Sequence, residues 1–365
     1  MNRSTFLGWR LRNRRRRAAR RLAQRRRQAA GGSGATAPSS RLSLVLLSLP
    51  GLAAIAALLF TWQQVSQSGK QLQIVEDQQI TTRFNTAIGN LASGSLDVRL
   101  GGIYALERIM KDSAADQPTI VSVLSAYVRQ HAPLPRKTAP TSDVRVAMDV
   151  LARRRPERDG GLTLDLTGVD LRGWRSGPGP TTASHLHGAE LSGADLRDAD
   201  LTDADLGEAD LEAANLDGAV LFWADLTAAY LYRARLRGTE FSRADLTAAT
   251  LCAPDGPCAD LTGTNFSGAD LTGASLFHAD LRSARICDRE HYIQRGGEEE
   301  QLIGCARLSE ADLTSADLAG ADLRDVDLSD AVLDGADLTG ADLTGANLTG
   351  ASLAGAVTKG AKGLP

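Results

Sequence analysis

Aromatic residues make up only 4% of this 365-residue chain, and there are just four cysteines, three methionines and five histidines. So few large rings argue against a compact core packed around aromatic side chains. Four cysteines are too few for a disulfide-built scaffold. The histidines (His131, His185, His187, His278 and His291) are scattered, and only His185 and His187 stand close enough to share an ion. No serine sits in a nucleophile elbow, and no glycine motif suited to cradling phosphate occurs. No enzyme activity, cofactor or metal is therefore expected. Negative charge is also missing where it might be expected: no acidic residue falls among the first 41.

What is present is strongly polarised. The net charge is −3, yet residues 162–365 carry 15 Lys and Arg against 34 Asp and Glu, and residues 1–161 carry 26 against 10. Much of the positive excess lies in Arg14–Arg17, Arg20–Arg21 and Arg25–Arg27, followed by a Gly/Ser/Ala/Pro linker beginning at Gly31. Leu42 to Trp62 then runs without a charge and is long enough for a hydrocarbon core about 30 Å thick. The expectation is a transmembrane helix over 42–62, with residues 1–41 as a cytoplasmic basic tail that also attracts anionic lipid heads. A cleaved signal segment and a buried soluble helix are the alternatives. Read alone, the arginine run would suggest nucleic acid, but beside a span the lipid reading is simpler, and direct nucleic-acid binding is not expected.

From residue 162 a period of five takes over. It shows in Ala189-Glu190-Leu191, Ala194-Asp195-Leu196, Ala199-Asp200-Leu201 and Ala204-Asp205-Leu206, with Phe241, Phe266 and Ile286 as substitutes for the leucine. Helices repeat their apolar face at 3.6 residues and strands at 2, so this period belongs to neither. Repeats this short cannot bury a face alone and must stack as a solenoid. Leucine and the alanine two places before it should point inward, with Asp, Thr, Arg and Gly outward. Gly193, Gly218, Gly268, Gly340, Gly345 and Gly350 should fall at turns.

The A-(D/N)-L-x-x pattern from Leu164-Asp165-Leu166 to Ala351-Ser352-Leu353 resembles the pentapeptide repeat family. That resemblance implies a mainly β fold, a right-handed quadrilateral β-helix solenoid with four repeats to a coil of about 20 residues. Here it would occupy 162–356, with a tail at 357–365. The block from Arg83-Phe84-Asn85 through Leu100-Gly101-Gly102-Ile103-Tyr104-Ala105-Leu106-Glu107-Arg108 resembles a segment preceding the array in bacterial membrane-anchored members. The periodicity predicts a small α-helical region over 63–132, with helices from Gln63 to Leu91, Asp97 to Met110 and Ile120 to His131. A linker over 133–161 should hold a short helix, Asp143 to Arg153. These helices are expected to cap the bare strand edge of the first coil.

Three stretches break the period, at 172–183, 252–258 and 287–305. The first two keep the five-residue phase and the third shifts it. Cys252 and Cys258 bound the second, and Cys287 and Cys305 bound the third, so two disulfides could staple these insertions. Buried free thiols and a metal site are the other readings. Disulfides would suit an oxidising face, and with a cytoplasmic basic tail they point to an N-terminus inside and an array outside. Away from the breaks, one region departs from consensus. Phe222, Trp223, Tyr230 and Tyr232 lie beside Arg233, Arg235, Arg237 and Arg243, and Trp223 should stack one coil below Arg243 as a cation–π pair. Local packing and a patch for an unknown protein partner both fit. The expected function is a membrane-anchored scaffold that presents a rigid acidic surface for protein interaction. The alternative is the role that the resemblance also implies, a DNA mimic acting on DNA gyrase.

Overall fold

The structure is a computed structural model that describes residues 41–135, 138–175, 184–253, 256–295 and 298–364. The arginine run, the glycine-serine linker and residues 176–183 of the first interruption lie outside them. The chain divides into two compact units, Met1–Glu76 and Asp77–Pro365. Helix α1 runs from Arg41 to Leu91, 51 residues without interruption. The expected membrane span is corrected here. The uncharged run is not an element of its own but the start of a helix that continues through Gln63, Gln64, Lys70, Glu76, Asp77 and Arg83. Among the described residues, no helix is long and apolar enough to cross a membrane. The placement of the N-terminus inside and the array outside rested on that span and is withdrawn with it.

In the second unit, helices α2 (Leu96–Asp112), α3 (Gln117–His131) and α4 (Ser142–Ala152) follow the amphipathic stretches expected from the sequence. Their inward residues Ile103, Leu106, Ile120, Leu124, Met148 and Leu151 are fully buried. Gly102 lets α2 approach α1 closely, since a Cβ there would stand 2.9 Å from the Ala87 carbonyl oxygen. At the turn into α3, Pro118 occupies the first helical turn, where a missing N–H costs nothing.

From Leu164 onward the chain winds into coils joined by parallel one-residue bridges. Glu190 bridges Asp210, Asp195 bridges Asn215, Asp200 bridges Val220 and Asp205 bridges Asp225, so four ladders advance 20 residues per coil. We number the sides by these residues: side one passes through Glu190, side two through Asp195, side three through Asp200 and side four through Asp205. Within each side the leucine N–H donates to the coil above, as from Leu206 to the Asp225 carbonyl at 2.7 Å. The preceding residue donates to the coil below, as from Asp225 to the Ala204 carbonyl at 2.9 Å.

Sides meet at tight turns in which the alanine N–H donates back to the preceding leucine carbonyl, 3.0 Å for Ala204 and Leu201. The second turn residue is left-handed at most corners among the described residues, though not at Ser283. Glycine takes this position without strain, as at Gly193 (φ 65°), but 14 non-glycine residues also hold it, Asp203 (φ 57°) among them. Leucine and alanine ladders fill the interior, Leu191, Leu211, Ala189 and Ala209 all at 0% exposure. Phe241 and Phe266 replace leucine on side three in successive coils and stack with ring planes 6° apart and centroids at 5.5 Å.

The ladders also measure the interruptions. Asp170 bridges Asp195 and Arg235 bridges Asp260, an advance of 25 residues, or five beyond a regular coil. Asp270 bridges Arg307, an advance of 37, or 17 beyond it. Five extra residues preserve the pentapeptide phase and 17 shift it. The third insertion is an antiparallel hairpin, β1 (Cys287–Arg295) and β2 (Glu298–Cys305).

The helices close the first coil with their own C-terminal ends. Asp170 N–H donates to the Ala132 carbonyl just past α3 (2.8 Å), and His185 N–H to the Ala152 carbonyl at the end of α4 (2.9 Å). Helix C-termini leave carbonyls without intrahelical partners, and first-coil strands leave N–H groups without a coil below. Each deficit satisfies the other. Trp174, 2% exposed, adds an indole hydrogen bond to Asp149 at 3.0 Å.

Candidate functional site

The outward surface of each side consists of the bridge residue before the leucine, and each corner adds two turn residues. Where the bridge residue is Asp, its Oδ1 accepts the backbone N–H two residues on. Thr202 donates to Asp200 at 3.2 Å, Thr227 to Asp225 at 2.9 Å and Thr247 to Asp245 at 2.9 Å. Asn215, Asn265 and Asn347 accept the same bond at 3.1, 3.0 and 3.2 Å. Asp or Asn at this position adds a side-chain hydrogen bond to a turn that also forms with Val220, Tyr230 or Arg235 there, and a neutral amide supplies that bond as well as a carboxylate.

Charge is sorted by side. Side four carries Asp205, Asp225, Asp245 and Asp270 in successive coils. At strand spacing of about 4.8 Å, neighbouring carboxylates in water repel by about 1 kcal/mol before salt screening. At the ends of this ladder the His187 ring stands 3.3 Å from Asp205, and Arg307 pairs with Asp270 at 3.1 Å. Asp225 and Asp245 are exposed, and neither has an ion-pair partner among the described residues.

Sides two and three carry arginines that answer their carboxylates. Arg197 forks onto Asp195 at 2.6 and 2.8 Å, Arg282 onto Asp280 at 2.7 and 3.0 Å, and Arg324 onto Asp322. The Arg282 fork holds the Asp280 carboxyl below the usual carboxylate range, and the Ser329 hydroxyl does the same for Asp327. These D-L-R forks follow from a spacing of two residues, but the sequence reading did not single them out.

The aromatic and arginine departure does not form one patch. Phe222 and Trp223 occupy the corner after side three, edge to face with centroids at 5.9 Å, and Arg243 lies at that corner one coil above. Trp223 and Arg243 both sit at the left-handed turn position, with φ of 54° and 59°. Tyr232 and Arg233 occupy the corner after side one, diagonally opposite, with Tyr230 and Arg235 on sides one and two. Coil-to-coil bonds engage much of this second group. Tyr232 donates to Glu212 at 2.7 Å, Arg233 stands 3.5 Å from the same carboxylate, Arg235 reaches Asp217 at 2.6 Å and Arg237 reaches Asp260 at 2.5 Å.

Each half lies beneath a cysteine-closed insertion. Cys252 is bonded to Cys258 at the corner after side one, one coil above Tyr232. Cys287 is bonded to Cys305 at the base of the hairpin, above Gly268 and Arg243 at the corner after side three. Of the histidines, His131 stacks on Tyr127 with centroids at 4.0 Å, and His278 meets Phe277 edge-on. Among the described residues, no group of three or more His, Cys, Asp or Glu could hold a metal ion.

Comparison with known proteins agrees with this geometry. The family model described as pentapeptide repeats matches in eight copies over residues 182–218, 214–251, 258–288, 306–345 and 327–357. HetL, a pentapeptide repeat protein involved in heterocyst differentiation regulation in the cyanobacterium Nostoc sp. strain PCC 7120, is 30% identical. The match covers 88% of HetL and 54% of this chain, with a TM-score of 0.17. The chain belongs to the pentapeptide repeat family. A pentapeptide repeat protein of the Arabidopsis thaliana thylakoid lumen is 27% identical over 39% of this chain and 69% of its own, with a TM-score of 0.23. Full-length QnrB1, a plasmid-mediated fluoroquinolone resistance protein, is 19% identical over 53% of this chain and 83% of its own, with a TM-score of 0.28. No curated protein matches the chain. In this pentapeptide repeat protein charge is sorted among the sides, two insertions are closed by cysteines and helices close the first coil.

Proposed function

We propose that the pentapeptide array is a non-catalytic scaffold whose side four docks a basic surface of another protein. The observation that carries this reading is the Asp205–Asp225–Asp245–Asp270 ladder. Its turns would form equally well with asparagine, so the repulsion between its carboxylates has no structural return. A DNA mimic acting on gyrase would ask for negative charge around the whole rod, as on a duplex. Arginines interleaved on sides two and three favour docking to a protein instead.

The test is the Asp225→Asn/Asp245→Asn double variant, which keeps the turn bonds and removes two exposed charges. Affinity capture with the wild type at low salt should enrich one or a few basic proteins, and the double variant should lose them. Identical captures from both proteins would count against side four as the docking face.

We propose further that both cysteine pairs are oxidised in the native protein. By loop-closure entropy, bonds closing loops of six and 18 residues are worth about 2 and about 3 kcal/mol. Thiol counting on the denatured, unreduced protein should find no free thiol, and four after reduction. Four free thiols without reductant would remove the staples from the account.

A further inference from the structure

The helical region holds a second charged site that is opposite in sign to the array. A pocket of about 350 Å³ opens between α2, the start of α3 and the segment that follows α4. It is lined by Lys111, Arg153, Arg154, Arg155 and Arg158, with Glu107 as its one carboxylate. Glu107 is engaged by Lys111 at 2.8 Å and by Arg153 at 3.6 Å, and Arg154 is committed to the buried Asp159 at 2.7 Å. Arg155 and Arg158 have no ion-pair partner among the described residues, and Arg155 is exposed.

Both of these arginines are fixed at their backbones. The short helical turn Pro156–Arg158 binds Arg158 N–H to the Arg155 carbonyl at 3.0 Å. Gln117 Nε2 donates to the same Arg155 carbonyl and, at 2.6 Å, to Asp159. The cations are thus held together around one cavity by a buried hydrogen-bonded frame rather than spread over solvent. Met110 and Val150 supply an apolar wall.

We infer that this pocket binds a small soluble molecule bearing a phosphate or diphosphate group. Guanidinium forks match phosphate oxygens in pairs. An excess of cations over carboxylates calls for a ligand with at least two negative charges. The volume lies at the small end of ligand pockets and leaves room for a diphosphate with a modest organic group against Met110 and Val150. The site is independent of side four, so failure of either reading leaves the other standing.

Calorimetric titration of the full chain with inorganic pyrophosphate near physiological salt tests it. Binding with a Kd below about 1 mM is expected. Arg155→Gln/Arg158→Gln should weaken it by about ten- to a hundredfold, since each lost charged hydrogen bond counts strongly. Melting without ligand should be unchanged, because neither side chain supports the fold. Arg155→Lys/Arg158→Lys keeps the charge, loses the fork and should fall between the two. No binding by the wild type, or equal binding by the glutamine variant, would overturn the site. Sulfate binding as tightly as pyrophosphate would overturn the phosphate assignment.

Discussion

Replacing Phe241 by alanine is expected to destabilise the array by about 3–5 kcal/mol, the usual cost of emptying a buried aromatic site. The ring is at 0% exposure and stacks on Phe266 in the next coil, so truncation removes its contacts with the leucine and alanine ladders and with that second ring. Coils only four short sides around cannot collapse inward without breaking the bridges above and below. Phe241→Leu restores the family's usual residue and should cost less than about 1.5 kcal/mol. Denaturant unfolding followed by circular dichroism separates the two. Because a solenoid's stability is a sum over neighbouring coils, the alanine variant should also broaden the transition or split it near the affected coils. Equal effects of alanine and leucine would mean that ring packing is not what fills side three.

A comparable loss is expected when the helical cap is unpinned. Arg154 and Asp159 are 3% and 5% exposed and paired at 2.7 Å, and the same guanidinium donates to the Leu151 and His185 carbonyls. Arg154→Ala leaves the Asp159 carboxylate buried with Gln117 as its remaining neutral donor. Breaking a buried pair from one side costs about 3–5 kcal/mol. The His185 carbonyl belongs to the first coil, so the same change loosens the junction that covers that coil's strand edge. The variant should therefore melt early and associate at concentrations where the wild type stays dispersed, because bare edges pair with other chains. Light scattering during thermal unfolding reports both effects. A variant that melts with the wild type would show that the ion pair does not hold the cap in place.

The coil was legible in the sequence because its period is set by backbone geometry, which repeats regardless of what faces outward. Even the breaks could be read: insertions of five keep the phase and one of 17 shifts it, as the ladders show at Arg235–Asp260 and Asp270–Arg307. The surface was harder. Five residues along the chain turn a full corner, so Trp223 and Tyr232, neighbours in sequence, face away from each other across the coil. Residues 20 apart share a side, and only with the insertions counted does the Asp ladder of side four stand out from the family's general abundance of Asp. The apolar run at 42–62 misled because hydropathy describes a window, while the helix that contains it runs to Leu91. The basic pocket gave no signal of its own, since it joins Glu107 and Lys111 to Arg153–Arg158 through the packing of three helices.

Where a bridge-residue oxygen holds the turn, an amide serves as well as a carboxylate, so the charge of the side-four ladder is not required by the fold. Melting the Asp225→Asn/Asp245→Asn variant beside the wild type at low salt tests this most directly. Three neighbouring pairs are relieved, each worth up to about 1 kcal/mol before screening, so the melting temperature should stay unchanged or rise by up to about 10 °C. A fall of about 5 °C or more would contradict the account, because the carboxylates would then be holding the coils together.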